Sequence, residues 1–145
     1  MTKALDLVRK VQRGEAAPPP IATLIGFTLA LVDPGRAVVT LDAGPRHLNP
    51  MGTVHGGVLC DIADAAMGMA YAAGLDEGET FTTLELKINF LKPVRAGRLV
   101  ATGRLVKGGH TVGLLECDVV DEKDRLVARA SSTCMTLRGE QAVGR

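Results

Sequence analysis

The sequence predicts an α+β domain in which a curved antiparallel sheet wraps around one long central helix. A single long helical pattern occurs, at about residues 57–74, and it carries apolar residues around much of its circumference. Such a helix has to be covered on more than one side. A pair of apolar runs precedes it, and after it the hydrophobic period becomes two, as in a half-buried strand. We expect a second subunit to cover what the sheet leaves exposed.

The two ends of the chain are predicted to lie outside this domain. Apolar residues recur at helical spacing over residues 4–11. The three prolines at 18–20 cannot continue a helix, because proline lacks the N–H donor, and they form a stiff connector. We predict an N-terminal helix with its proline-rich connector at residues 1–20 and a main domain at residues 21–138. A loose C-terminal tail follows at residues 139–145.

Six strands are predicted around the helix. Two apolar runs, at 25–32 and 37–41, flank a turn sequence that contains Pro and Gly, and we interpret them as a hairpin. From Thr82 onward apolar and polar residues alternate, and the row expected to be buried is Leu84, Leu86, Ile88 and Phe90. Three further strands are predicted at 98–106, 111–120 and 125–137. Two hairpin turns separate them, at 107–110 and 121–124.

The two faces of the helix differ in composition. At about 100° per residue, the face that suits a core contains Leu59, Ile62, Ala66, Met69 and Ala73. The opposite face combines small residues with carboxylates, and it contains Gly57, Asp61, Asp64, Gly68 and Tyr71. The small residues expected to leave space for a ligand are Ala65, Gly68 and Ala72. Gly74 is the predicted C-cap.

Composition and charge exclude several classes of function. The chain has 145 residues with a formal net charge of +1, so no broad basic surface favours nucleic acid or an anionic membrane. Aromatic residues are only 3%, too few for a base-stacking surface. The N-terminus lacks a continuous hydrophobic segment, and no apolar stretch is long enough to span a membrane. We expect a cytoplasmic protein that binds neither nucleic acid nor membrane.

Cysteines and histidines show no metal or disulfide signature. The odd number of widely spaced cysteines fits reduced thiols that pack as small apolar groups: Cys60, Cys117 and Cys134. The histidines lie too far apart for a local zinc signature: His47, His55 and His110. No metal site is predicted.

The segment from residue 49 to residue 64 carries the candidate chemistry. Asp64 stands on a mostly buried helix, where an unpaired charge costs several kcal/mol, so its presence needs a reason. Gly56 and Gly57 lie just before the helix, where free backbone N–H groups can face a ligand at the positive end of the helix dipole. A carboxylate and an anion-stabilising turn are two parts of a hydrolytic site.

This segment resembles a known family. Asn49, Gly52, His55-Gly56-Gly57 and Asp64, followed by a strand that ends at residues 89–93, resemble the hotdog-fold acyl-CoA thioesterases of the PaaI type. The resemblance covers roughly residues 22–138. It implies an acyl-CoA substrate, no cofactor beyond the CoA of that substrate, and a homodimer as the smallest working unit. Dimers of dimers are common in the family.

The resemblance also implies roles for individual residues. Asn49 matches the asparagine that helps hold the thioester, and His55 matches the histidine near the carbonyl. Gly56 matches the glycine whose N–H polarises the thioester oxygen. Asp64 matches the carboxylate that orients or deprotonates the attacking water, and Thr83 falls where a hydroxyl often assists that water. The two halves of each site come from different subunits in this family.

Each of these residues also has a purely structural interpretation. Asp64 could bind an Arg or backbone N–H groups across an interface, since structural pairs also use such carboxylates. His55 could only fix the turn. Asp61, nearly one turn before Asp64 on the same face, is the first alternative as the base. It could equally be a charge in the first turns that the helix dipole favours.

Candidates for the CoA phosphates lie in the later half of the chain. The turn Lys107, Gly108, Gly109 and His110 offers a cation and free N–H groups, although an ordinary hairpin turn explains it equally well. Lys92, Arg95 and Arg138 are further candidates.

Three rival functions remain open on the sequence alone. A hotdog hydratase or dehydratase would need different His and acid arrangements. A non-catalytic acyl-CoA-binding protein of the same fold would bind acyl-CoA and leave it intact. A purely structural assembly protein would have no use for the polar loop at residues 49–57. The sequence does not identify the acyl group.

Overall fold

The computed structural model describes residues 2–144, so the first and last residues of the predicted terminal segments lie outside the described residues. Helix α1 spans Lys3–Gln12. A second, short helix that the sequence did not reveal, α2, spans Pro20–Ile25. Pro20 is the first helical residue, where the missing N–H costs nothing, and Gly26 ends the helix at a φ of 91°. The predicted connector is therefore partly helical.

Six strands form one antiparallel sheet, as predicted. The strands are β1 (Phe27–Asp33), β2 (Arg36–Ala43), β3 (Thr80–Phe90), β4 (Gly97–Gly108), β5 (Val112–Val120) and β6 (Leu126–Leu137). Their spatial order is β1-β2-β4-β5-β6-β3, and every neighbouring pair is antiparallel. The strand that follows the central helix in the chain therefore lies at one edge of the sheet.

Helix α3 spans Gly56–Ala72 and packs across the central strands β2, β4 and β5. The approach is close at Gly103 in β4, where an added Cβ would lie 2.5 Å from the backbone carbonyl of Ala66. The fully buried side chains of the resulting core include Val39, Leu41, Ile62, Met67, Leu99 and Leu115. The α+β prediction, a curved antiparallel sheet around one long helix, is confirmed.

Two details predicted for the central helix are wrong. The helix ends at Ala72 with Ala73 as its C-cap at a φ of −66°, so Gly74 is not the cap. Gly68 and Tyr71, placed with the carboxylates, are buried, and the Tyr71 hydroxyl lies 2.7 Å from Oγ1 of Thr136. The buried part of the helix surface therefore extends beyond the predicted core face.

The alternation in β3 is interrupted by a bulge. The register with β6 shifts between Thr83 and Glu85. Leu84 is 52% exposed and Phe90 is 55% exposed, and of the predicted buried row only Leu86 and Ile88 pack against the core. A bulge inserts one unpaired residue, which accounts for the exposure of Leu84. Phe90 shares the face of Leu86 and Ile88 and is exposed as the last residue of the strand, where its ring lies over Gly56.

The last two corrections concern the turns and the tail. Lys107 and Gly108 belong to β4, so the turn to β5 is shorter than predicted. The tail contains a 3₁₀-helix at Gly139–Ala142. Within residues 2–144, no helix is long and apolar enough to cross a membrane.

Candidate active site

A polar loop before α3 holds the first group of candidate residues. The Asn49 carboxamide braces this loop, because Oδ1 accepts from the backbone N–H groups of Met51 and Thr53 at 3.0 and 3.1 Å. Its Nδ2 donates to Oγ1 of Thr53 at 2.9 Å. Asn49 therefore fixes the shape of the chain leading to the helix.

His55 is the N-cap of α3. Its Nδ1 accepts a hydrogen bond from the Gly57 N–H at 2.8 Å. With Nδ1 as an acceptor, the neutral imidazole carries its proton on Nε2 and keeps one N–H to donate. His55 therefore fixes the turn through Nδ1, and because its side chain is exposed, Nε2 is left to donate to a ligand.

The Gly56 backbone N–H is the candidate oxyanion donor. It belongs to the first residue of α3, at the positive end of the helix dipole, and no acceptor for it is found among residues 2–144. The Phe90 ring lies over Gly56, where an added Cβ would be 2.7 Å from Cζ of that ring. Glycine is therefore the residue that fits beneath Phe90.

Asp64 and Thr83 form the second group. Thr83 Oγ1 donates to Oδ1 of Asp64 at 3.2 Å, which joins the middle of α3 to strand β3. Asp64 is exposed, and no Lys, Arg or His within the described residues forms an ion pair with it. The alternative in which Asp64 binds an Arg or backbone N–H groups across an interface stays open, because it concerns contacts between chains.

An open cavity of about 330 Å³ lies beside this pair, between α3 and β3. Its lining residues are Cys60, Asp61, Asp64, Thr83, Leu84, Glu85 and Leu86. Sequence reasoning missed Cys60, Glu85 and the two leucines as lining residues. Cys60 could have been found one turn before Asp64, whereas the others depend on which strand packs beside the helix.

Burial, and then the neighbouring carboxylates, raise two pKa values in this cavity. Burial, and then the charge of Asp64, raise the pKa of Asp61 above its usual value. Burial and the charges of both aspartates raise the pKa of the Cys60 thiol. Cys60 therefore remains a thiol at neutral pH, which makes it a poor nucleophile.

The two groups do not meet within one chain. Asp64 follows Gly56 by eight residues on the same helix, a rise of about 12 Å. The structure brings Asn49, His55 and Gly56 together at the start of α3, and Asp64 with Thr83 at its middle. One thioester cannot contact both the Gly56 N–H and the Asp64 carboxylate of the same chain.

The candidates for CoA phosphates also fall into two places. Arg95 donates to the carbonyl of Gly52 at 3.0 Å, in the loop before α3, and Lys92 lies 3.7 Å from the carboxylate of Asp121. Lys92 and Arg95 line a cleft of about 320 Å³ together with two cations that the sequence did not single out, Arg98 and Arg125. Two carboxylates, Asp121 and Glu122, line it as well, so cations outnumber carboxylates in what we call the basic cleft. Through the contact of Arg95 with Gly52, this cleft adjoins the first group of site residues.

The remaining candidates lie beyond the other end of α3. Arg138 donates through Nε to Glu79 at 2.5 Å and through an Nη atom to the His110 carbonyl at 2.8 Å. Lys107, Gly108 and Gly109 are exposed beside His110. The seven candidates therefore form two separate groups.

Comparison with known proteins agrees with this architecture. Residues 51–128 match the thioesterase superfamily. The 1,4-dihydroxy-2-naphthoyl-CoA hydrolase of Listeria monocytogenes is 29% identical over 109 residues, which cover 75% of this chain and 89% of that protein. The acyl-coenzyme A thioesterase PaaI of Escherichia coli is 32% identical over 108 residues, 74% of this chain and 75% of that protein.

The solved structures agree as well. The Escherichia coli PaaI protein from the phenylacetic acid degradation operon superposes with a TM-score of 0.82, covering 94% of this chain and 95% of that chain at 26% identity. The chain belongs to the thioesterase superfamily. The predicted resemblance to PaaI-type hotdog thioesterases is confirmed.

Proposed function

We propose that this protein hydrolyses acyl-CoA thioesters with a water molecule activated by Asp64. The observation that carries the proposal is the Thr83–Asp64 hydrogen bond of 3.2 Å beside an open cavity between α3 and β3. The hydrogen bond occupies Oδ1 of Asp64 and fixes the carboxylate, which leaves Oδ2 to accept a proton. A positioned general base contributes about 10² to 10⁴ in rate.

The reaction needs no cofactor or metal, because the two groups supply both elements that hydrolysis requires. Asp64 takes a proton from water as the water oxygen attacks the carbonyl carbon. The Gly56 N–H, at the helix start, donates to the carbonyl oxygen as its negative charge develops. The tetrahedral intermediate then loses the CoA thiolate, and the Asp64 carboxyl returns the proton to it. One oxyanion donor contributes about 10² to 10³ in rate.

The distance between the two groups supports a site shared by two copies of the chain. The Gly56 of one copy then works with the Asp64 of its partner, and a homodimer contains two such sites. Strand β3 is an unpaired edge with the exposed apolar residues Leu84 and Phe90, and Phe90 lies directly over Gly56. We propose that β3 forms the dimer contact.

We propose further association into a dimer of dimers. Val106, Val112 and Leu114 are large apolar side chains that remain 52%, 45% and 43% exposed on β4 and β5. Exposed apolar groups on neighbouring strands are typical of surfaces that bind another protein. Their position on strands away from β3 leaves them accessible when two copies join along that edge.

For the CoA phosphates, we propose Lys92 and Arg95 in the basic cleft as the first contacts. This cleft adjoins the loop that leads to His55, so a nucleotide bound there lies near the Gly56 N–H. Lys107, Gly108, Gly109, His110 and Arg138 form the alternative contact, and in a shared site they could come from the partner. We propose that His55 and Asn49 hold the thioester, and that Asn49 also holds the loop that leads to His55.

We place the protein in the cytoplasm, where its three free cysteines remain reduced.

Thiol release from a panel of acyl-CoAs tests the proposal. The panel contains aryl-acetyl, benzoyl and short-to-long aliphatic thioesters, and binding of the same compounds is measured in parallel by calorimetry. We expect release from at least one compound at a rate that rises with enzyme concentration. Stoichiometric binding without release from any compound would contradict hydrolysis and favour the non-catalytic acyl-CoA-binding protein.

A further inference from the structure

His47 is a buried histidine that the proposed mechanism does not use. It ends a short 3₁₀-helix at Pro45–His47, in the loop between β2 and α3, and only 5% of it is exposed. Its Nδ1 accepts from the Gly44 N–H at 3.0 Å, so the neutral imidazole carries its proton on Nε2. That Nε2 lies 2.7 Å from the Ile25 carbonyl oxygen, to which it therefore donates. Both ring nitrogens of His47 are thus engaged in hydrogen bonds.

The two hydrogen bonds of His47 differ in what they join. The bond to Gly44 lies within one turn of the chain. The bond to Ile25 spans 22 residues and attaches the loop to the end of α2. The guanidinium of Arg46 donates to the same carbonyl at 3.2 Å, but Arg46 is exposed, and a hydrogen bond is stronger away from water. The His47 imidazole is therefore the main link between α2 and this loop.

The backbone of His47 continues this link to the start of α3. The His47 carbonyl accepts from the His55 N–H at 2.8 Å. Beyond this pair, Leu48 and Val54 form an antiparallel bridge, so the chain between the two histidines is a narrow hairpin. We call the His47–His55 pair the base of the hairpin. Because His55 directly precedes Gly56 and caps the helix, the position of the base sets the position of the Gly56 N–H.

The second arm of the hairpin has an anchor of its own. The Val54 N–H donates to the Val94 carbonyl at 2.7 Å, in the segment after β3. The hairpin is thus held from two sides, by His47 at α2 and by Val54 at Val94. Loss of the His47 anchor leaves the second anchor in place and lets the base shift. A misplacement of about 1 Å at a catalytic group can cost about 10²-fold in rate.

We infer that His47 is a positioning residue for the oxyanion site, and that its Nε2 bond to the Ile25 carbonyl holds the Gly56 N–H in place. The inference rests on the proposed thioester hydrolysis and adds a residue to it. Because His47 is buried, it acts through the hairpin and not by contact with the substrate. Its effect is therefore expected on kcat, through the geometry of the oxyanion donor, with KM nearly unchanged.

Two substitutions separate the two hydrogen bonds of the imidazole. His47→Gln keeps a donor at the position of Nε2, whereas His47→Asn keeps an acceptor at the position of Nδ1 but is too short to reach Ile25. Steady-state kinetics use the acyl-CoA that the wild type hydrolyses fastest among phenylacetyl-, benzoyl-, butanoyl- and octanoyl-CoA. We expect kcat to fall about tenfold in His47→Asn, less than for loss of the oxyanion donor itself, with KM within about twofold. His47→Gln should retain most of the rate.

Amide hydrogen exchange gives a local readout of the hairpin base. In His47→Asn the His55 N–H should exchange faster than in the wild type, while the Val54 N–H stays protected. Unchanged exchange at His55 would show that the base does not depend on His47, contrary to the inference. Tyr71→Phe is the matched control, since it removes another buried side-chain hydrogen bond, to Thr136, near the other end of α3. Its kcat and KM should equal those of the wild type.

Melting curves establish which variants are folded, and His47→Thr, which is also too short to reach Ile25, replaces His47→Asn if that variant unfolds. A folded variant with unchanged kcat, or with a change in KM alone, would overturn the inference and leave thioester hydrolysis standing. Equal losses in His47→Gln and His47→Asn would also overturn it, because packing of the ring would then be the cause. A wild type that releases thiol from no compound would overturn the proposed function, and the inference with it.

Discussion

The start and the middle of helix α3 carry opposite halves of the proposed chemistry. At the start, Gly56 presents an N–H without an acceptor in the described part of the chain, under the cap formed by His55. At the middle, Asp64 presents a carboxylate that Thr83 orients. The start offers positive charge to an oxyanion, whereas the middle offers a base to a water molecule.

One helix therefore carries both halves of the proposed site, but the two halves do not combine into a complete site within one chain. The two groups lie about 12 Å apart along the axis, too far for one carbonyl group. Two antiparallel copies of the helix place the start of each beside the middle of the other, as expected for an isologous contact. The exposed edge of β3, which carries both Thr83 and Phe90, lies where such a contact would form.

The largest effect is expected at the middle of the helix. Asp64→Asn removes the base and retains the shape, so kcat should fall by about 10² or more, while the melting temperature stays near that of the wild type. Asp61→Asn is the matched control, because it neutralises the neighbouring carboxylate on the same face. Thiol release measured on both variants decides between them, and a larger loss in Asp61→Asn would identify Asp61 as the base.

A nearly equal fall in kcat is expected at the start of the helix, when one backbone N–H is removed. Gly56→Pro deletes the N–H at the first helical position, where proline is favoured, and the ψ of 135° at His55 suits a residue before proline. We expect kcat to fall by about 10² to 10³. Gly56→Ala keeps the N–H and adds the same Cβ beneath Phe90, so it separates crowding from loss of the donor. Equal losses in the two variants would contradict a role for the N–H.

A smaller effect is expected at the hydrogen bond to Asp64. Thr83→Val removes the donor at constant shape, and a hydrogen bond to a charged group is worth enough to lower kcat about tenfold. Thr83→Ser keeps the hydroxyl and should restore most of the rate. Steady-state kinetics on the two variants separate the hydroxyl from packing, and an equally slow serine variant would show that packing is the cause.

The smallest effect concerns stability at Asp61. Burial and the charge of Asp64 raise the pKa of Asp61 in the folded state, so the folded protein favours the protonated form. Ionised Asp61 therefore destabilises the fold above that pKa, and the cost disappears below the unfolded value of 3.8. Asp61→Asn should raise the free energy of unfolding at pH 7 by about 0.5 kcal/mol. Urea titrations at pH 7 and pH 4 measure the gain, which should shrink at the lower pH.

The sequence predicts the parts of the site that are contiguous in the chain. The cap, the glycine pair and Asp64 lie within ten residues of one another, and helical spacing alone places them on one helix. The partner of that helix is not predictable in the same way. Thr83 reaches Asp64 because β3 packs beside α3 at the sheet edge, and strand order is not encoded in local periodicity.

The remaining errors come from tertiary packing that overrides local patterns. The bulge between Thr83 and Glu85 exposes Leu84, although strict alternation would bury it. Gly68 suggested empty space, and Phe81 fills it from a strand distant in sequence. A single sequence indicates that a small residue leaves room but not which side chain takes that room.

Complementation between two inactive variants tests most directly whether the start and the middle of α3 act across two copies. Asp64→Asn and Gly56→Pro chains carrying different tags are co-expressed, and the mixed dimers are purified through both tags. Each mixed dimer then contains one intact site out of two, so we expect about half of the wild-type thiol release per dimer. Mixed dimers as inactive as the two parent variants would contradict the shared site.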